Sequence, residues 1–328
     1  MHGWLPSLEA EAAAAEAGWI ETVTGPVAAS RLGMALAHEH VLVDFIGADR
    51  ITPGRYEPEA VLAVAEPHVR AAAARGVAAI FECTPAFIGR DPQLLRALSE
   101  RTGVRFVTNT GYYGAAGDKF VPAHARELSA EALAAIWIAE AREGIGDTGI
   151  RPGFIKIGVD PEAALSAIDR KLVEAAALAH RETGLTIAAH TGSGPGLAML
   201  EILEAHGVAP EAFVWVHAQN APDGAIFEAA RRGAWISLDG LRPESLERHL
   251  AVLLMLREAD LLGRVLLSHD AGWYDPGKPD GGTFRGYETL FVDFAPMLRS
   301  RGIDAAELMR ILTANVARAF AVRRRLVR

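Results

Sequence analysis

A chain of 328 residues that is half apolar, 23% charged and of formal charge −8 can bury a large core, and its acidic balance argues against a phosphate-backbone partner. No apolar stretch reaches the roughly 18 residues needed to span a bilayer, and no membrane partner is expected. The first twenty residues, Ala/Glu-rich and without a basic start or apolar h-region, read as a short helix and not as a secretory signal. Cys83 is the only cysteine, so no intrachain disulfide forms and the cytoplasm is the expected compartment.

In chain order, the segment 21–33, with turn residues Gly25 and Pro26, reads as a hairpin that could cover the bottom of a barrel. Short apolar runs then recur at 33–37, 77–84, 105–110, 154–158, 186–190, 213–217, 234–238 and 265–268, each the length and composition of a buried parallel strand. Between and after them lie amphipathic helical patterns at 58–75, 91–101, 130–143, 161–182, 196–206, 223–232, 243–262 and 287–301. Pro58, Pro161, Pro222 and Pro243 stand near the starts, and Gly76, Gly103, Gly184, Gly207, Gly233 and Gly302 come after the ends. Strict alternation of eight strands and eight helices predicts the α/β class and a (β/α)8 TIM barrel, one domain over 1–328 with the barrel proper at about 33–302. An extra C-terminal helix is expected over 304–320, and the basic run RRRLVR reads as a solvated tail.

His38 and His40 close the first predicted strand, Lys156 lies in the fourth, His190 and His217 end the fifth and sixth, and Asp270 lies just past the eighth. Catalytic groups of such barrels come from the C-terminal ends of several strands. Imidazole and carboxylate are the donors that hold zinc and neighbouring transition metals. Alternation along a strand points His38 and His40 the same way and Glu39 away, so all six groups can meet at one mouth. Each has a plainer reading alone. A strand histidine is more often a hydrogen-bonded core residue; Asp270, with Gly272 after it, could cap a helix; Lys156, among Phe154, Ile155 and Ile157, could pair with an acid from a neighbouring strand. Together they point to a hydrolytic metal site, because every plain reading would have to fall at a catalytic end by chance.

The segments HEH after a TGP hairpin, FECTPAFIGRD, TNTGYY, FIKIG, HTG, WVH, SHD and TANVARAF come in an order that resembles the phosphotriesterase family, in its phosphotriesterase-like lactonase branch, within the amidohydrolase superfamily. The resemblance covers nearly the whole chain. It implies two divalent metal ions per chain, zinc first and cobalt, manganese or iron also suited. It implies that Lys156 is carbamylated and bridges the ions, that His38, His40 and Asp270 hold the more buried one, and that His190 and His217 hold the more exposed one. It further implies a metal-bridging hydroxide as nucleophile, Asp270 as proton acceptor, and a homodimer.

Departures bear on the substrate. Asn220 stands where the family's organophosphate hydrolases place an acid. Gly240 comes after Asp239 where those enzymes carry a His and the related lactonases an Arg, with Arg242 two residues further on, so the residues of the outward proton relay in those hydrolases are not matched here. Tyr113 matches a position where the lactonases carry a tyrosine; a core aromatic is the alternative, and at the mouth it would touch substrate. The loop WYDPGKPDGGTFRGYE, with Lys278 and Arg285, could cover an anionic substrate group or be a plain solvated loop. The reading is a binuclear hydrolase of a small-molecule lactone or related carboxylic ester, with organophosphate triesters as side substrates. Phosphotriester or amide hydrolysis as the main activity, and a ligand-binding protein without turnover, are the alternatives.

Overall fold

The computed structural model describes residues 18–162, 164–191 and 193–327. Most of the helix expected over the first twenty residues lies outside these, and its last two residues belong instead to a strand, β1 (Trp19–Thr22). β1 pairs antiparallel with β2 (Gly25–Ala28), Thr22 facing Gly25 across the turn. Gly25 has φ 114, which a Cβ would penalise, and the Thr22 hydroxyl donates to its carbonyl at 2.6 Å.

The barrel strands are β3 (Met34–Glu39), β4 (Val77–Glu82), β5 (Arg105–Val107), β6 (Asn109–Thr110), β7 (Phe154–Gly158), β8 (Thr186–His190), β9 (Phe213–Val216), β10 (Trp235–Leu238) and β11 (Val265–Leu267). They pair in parallel as β3–β4–β5 and as β6 through β11 in sequence order. The third expected strand is therefore split at Thr108. The last strand returns to the first: the backbone N–H of Asp270 donates to His38 O at 3.1 Å, and that of His40 to Ala271 O at 2.8 Å. The fold is a (β/α)8 barrel, and this seam carries three of the candidate ligands.

Period-2 alternation sorts the strand residues into two apolar clusters. Leu36, Ile80, Ile155, Ile187, Phe213 and Ile236 pack outward against the helices. Ala35, Phe81, Val107, Phe154, Ala188, Val214, Trp235 and Leu266 fill the barrel, where Ile20 and Leu32 of the N-terminal segment and Phe320 of the C-terminal helix close its bottom. Phe81 and Phe320 stack with ring centroids 4.2 Å apart.

Helices at Pro58–Ala74, Pro92–Thr102, Ala130–Glu143, Gly196–Ala205 and Asp223–Arg232 keep the expected order. Other boundaries differ for local reasons. The helix expected from 161 begins at Ala167, because the Ser166 hydroxyl accepts from Asp169 N at 3.1 Å and caps it there. The pattern 243–262 resolves into a 3₁₀ turn (Pro243–Ser245) and an α-helix (Leu246–Glu258). The last two helices each contain a π turn, at Leu290–Phe294 and Ile311–Asn315. In the second, Asn315 donates its amide to the carbonyls of Leu262 and Val265, both at 2.8 Å. A short helix, Ala123–Glu127, was too brief to show a period.

The basic C-terminal run is not a solvated tail. Arg323 and Arg324 are exposed, but Arg325 is buried and donates to the carbonyls of Arg318, Ala319 and Ala321 at 2.9–3.0 Å. Its backbone N–H donates to His180 Nε2 at 3.0 Å. Those carbonyls end a helix and have no continuing turn to satisfy them, so the guanidinium fork supplies donors. Among the described residues no helix is long and apolar enough to cross a membrane.

Candidate metal centre at the barrel mouth

His38 and His40 reach the mouth through an irregularity in β3. Leu36 pairs with Ile80 but Glu39 with Glu82, so β3 spends three residues where β4 spends two. Without that bulge, the phase set by inward Ala35 and Ala37 would turn His38 and His40 outward. With it, both line the mouth cavity, and Glu39 points into the wall.

That cavity, of about 290 Å³, is lined by all six expected ligands, His38, His40, Lys156, His190, His217 and Asp270, together with Tyr113. Val43, Phe45, Ile88, Phe120 and Trp273 form its apolar side. The ligand atoms of His38, His40 and Asp270 all lie within 4.8 Å of one another. Asp270 Oδ1 is 3.0 Å from His40 Nε2 and 3.5 Å from His38 Nε2, while Oδ2 is 3.9 Å from His217 Nε2. The rings of His190 and His217 meet edge to face with centroids 4.5 Å apart.

The partners behind these rings decide where their protons are. Asp239, fully buried at the end of β10, accepts from His38 Nδ1 at 3.1 Å and also from His217 Nδ1. The Thr84 hydroxyl donates to Glu82 Oε1 at 2.5 Å and so accepts from His40 Nδ1 at 2.8 Å. Each of these partners accepts from Nδ1, which turns the Nε2 atoms of all three rings toward the centre. His38 Nε2 and His40 Nε2 stand only 3.3 Å apart with Asp270 Oδ1 beside them. Acceptors so crowded repel unless a cation or a proton lies between them. Burial lowers the pKa of His38 and takes that of His190 well below the usual imidazole range, which keeps these rings neutral. Burial opposes charge on Asp239 too, yet the adjoining His217 and His38 hold its pKa well below the carboxylate range. Despite its burial, His217 has its pKa raised by Asp239 and Asp270, which favour its charged form, and the donor set, imidazole Nε2 atoms with carboxylates behind the rings, fits a divalent ion.

Lys156 is 1% exposed, with Nζ 5.5 Å from the Tyr113 ring centroid. Among the described residues no carboxylate lies within ion-pair distance of it, so a neighbouring acid does not account for its burial. Burial lowers its pKa and favours the free amine.

Asp270 caps no helix. It leaves the strand end in a left-handed conformation, φ 51, as His217 does with φ 60, a state that costs of order 1–3 kcal/mol in non-glycine residues. For His217 the hold is Asp239, which accepts from its backbone N–H at 3.1 Å. For Asp270 it is Glu39, which accepts from Ser268 Oγ, His269 N and Ala271 N at 2.7–2.9 Å. Arg285 adds donation to the carbonyls of Asp270 and, at 2.7 Å, His269. Arg285 therefore braces the site from behind, whereas Lys278 is exposed and lies 3.7 Å from Asp275. Asn220 is exposed in a 3₁₀ turn and does not line the cavity; nor does Gly240.

Sequence reasoning assigned no role to Glu39, Glu82, Thr84 or Asp239. The available signal was an acid or hydroxyl at the end of an otherwise apolar strand, or between two ligand histidines.

Fold and site together define a (β/α)8 barrel whose catalytic mouth holds a His/Asp cluster fitted to a metal ion. The family model described as "Phosphotriesterase family" matches residues 18–320, and the chain belongs to that family. It is 32% identical over 294 residues to a phosphotriesterase homology protein of Escherichia coli, covering 88% of this chain and 98% of that one. It is 26% identical to an aryldialkylphosphatase of Saccharolobus solfataricus (88% and 95% covered) and 26% identical to an N-acetyltaurine hydrolase of Rattus norvegicus (91% and 96% covered). The solved structure of a mutant PTE-like lactonase from Deinococcus radiodurans superposes with a TM-score of 0.83 at 31% identity, covering 92% of this chain and all of that one.

Proposed function

We propose that the chain is a binuclear metal-dependent hydrolase acting on lactones or related carboxylic esters, with organophosphate triesters as side substrates. The observation that carries this reading is the convergence of His38 Nε2, His40 Nε2 and Asp270 Oδ1 within hydrogen-bond distance of one another at the barrel mouth, a donor set that a divalent cation would satisfy. His38, His40 and Asp270 would hold one ion, and His190 and His217 a second. When bound, zinc or a similar divalent pair supplies an acidified water and a Lewis acid for the scissile carbonyl or phosphoryl group.

Lys156 joins them after modification. Its amine would add to carbon dioxide, forming an N–C bond and releasing a proton, so that a buried would-be cation becomes an anionic carbamate that would help hold the ions. Asp270 Oδ1 faces His38 and His40, which leaves Oδ2 as the proton acceptor during attack. Burial raises the pKa of Tyr113, so its hydroxyl stays protonated and can orient or protonate the leaving oxygen of a lactone. The apolar side of the cavity keeps water other than the nucleophile away from the reacting group. The PTE-like lactonase neighbour supports the ester reading. The N-acetyltaurine hydrolase relatives favour amide hydrolysis as the second reading.

The test is a metal-replete panel of lactones, carboxylic esters, N-acyl amides and an activated phosphotriester, in which a lactone or ester should show the highest kcat/KM. A triester or an amide in first place overturns the substrate assignment. Lys156→Ala should lose activity beyond the ~10–100-fold typical of an outer metal partner and regain part of it with short carboxylic acids. Lys156→Arg should stay inactive, and an Arg variant at full rate refutes the carbamate.

A further inference from the structure

A second cavity, of about 620 Å³, opens beside the metal cavity and shares Phe45, Asp270 and Trp273 with it. The rings of Phe45 and Trp273 lie 5.5 Å apart between centroids and line both spaces, so a molecule seated at the metal cluster can extend along them. Three cations, Arg242, Lys278 and Arg285, and two carboxylates line this second space.

Neither carboxylate is turned against a ligand there. Asp270 faces His38 and His40. Asp275 is buried, accepts from Gly277 N at 2.8 Å within its own turn, and has Lys278 Nζ 3.7 Å away. Lys278 shares its charge with Asp275, but the two arginines are under-compensated. Arg242 is exposed, and among the described residues neither it nor Arg285 has a carboxylate within ion-pair distance. Arg285 is also held in place, by Nη2 on the His269 and Asp270 carbonyls and by paired backbone hydrogen bonds with Gly272 at 2.9 and 3.0 Å. A fixed guanidinium with N–H groups to spare, a second arginine and a lysine beside apolar rings make a site for an oxyanion on an otherwise apolar stem.

We propose that this cavity binds the anionic tail of the substrate. The molecules hydrolysed are then lactones, esters or amides that carry a carboxylate or sulfonate remote from the scissile bond. This rests on the hydrolase reading of the first cavity and adds what its substrate must bear.

Two measurements test it on the metal-replete enzyme. The first compares kcat/KM for esters that differ only in the end of the tail: carboxylate, sulfonate or neutral methyl ester. The anionic tails should be favoured by about tenfold or more at low salt, and the ratio should shrink as ionic strength rises. In the double variant Arg242→Glu, Lys278→Glu the ratio should fall to one or below. A wild-type ratio of one, or a ratio that survives the charge reversal, overturns the proposal.

The second measurement is calorimetric titration with a short alkanesulfonate, a poor ligand for divalent metals. Saturable binding is expected in the wild type, weakened by about tenfold or more in the double variant. Binding that is absent in the wild type, or unaffected by the charge reversal, places no anion here and overturns the proposal. Should no ester or amide be turned over, the hydrolase reading fails by itself, and the titration still decides the subsite.

Discussion

The two ends of this barrel are built from the same strands on opposite principles. The bottom is a dry plug in which Phe81, Phe154, Trp235 and Phe320 pack under the N-terminal hairpin. The top buries His38, Glu39, Glu82, Lys156 and Asp239, each at 2% exposure or less. Apolar contacts at the bottom are non-directional and stabilise roughly in proportion to the area they remove from water. Polar groups at the top are costly to bury unless each finds its partner, so that end is specified by a hydrogen-bond network and stabilises little by itself. Chemistry is concentrated where burial is costliest, and the plug supports it from below.

Substitutions at the two ends should therefore separate activity from stability. The largest kinetic effect is expected for Asp270→Asn, which keeps an oxygen for the metal but removes the basic carboxylate. Its kcat should fall by about 10²–10⁴ while metal content falls far less. A change below about threefold with metal retained would move the proton to another group. Phe320→Ala at the plug should cost about 3–5 kcal/mol of stability, read from denaturant unfolding. Its folded fraction should keep kcat/KM within a few-fold, and a large kinetic loss in folded protein would show that the two ends are coupled.

Asp239→Asn tests the network in between. The change removes the carboxylate that sets the tautomer of both His38 and His217. It should lower metal affinity by about 10–100-fold, measured by competition with a chelator. An affinity equal to wild type would mean that burial alone orients the rings. The smallest effect is reserved for Tyr113→Phe. Loss of the hydroxyl should reduce kcat/KM for lactones by roughly tenfold, about 1.4 kcal/mol, and leave an activated phosphotriester nearly unchanged, since its leaving group needs no proton. Equal losses on both would make Tyr113 a shaping residue only.

Much of this was determined by the sequence alone. Buried strands and amphipathic helices carry their periods locally, so the alternation that builds the barrel was legible, as were the candidate ligands at the strand ends, which the fold brings to one cavity. Periodicity and composition misled where a particular contact decided. Ser166 stopped a helix that the pattern would have begun at Pro161. Arg325 is buried because the carbonyls of Arg318, Ala319 and Ala321, at a helix end with no continuing turn, take its guanidinium N–H groups. What only the tertiary structure decided is how the ligands are held. The bulge in β3 sets the face of His38 and His40, and the seam to β11 brings Asp270 to them. Asp239, Thr84 and Glu82 then fix which nitrogen carries each proton. None of this has a local signature, since strand register and a hydrogen bond between residues 201 apart in sequence, as between His38 and Asp239, exist only once the barrel has closed.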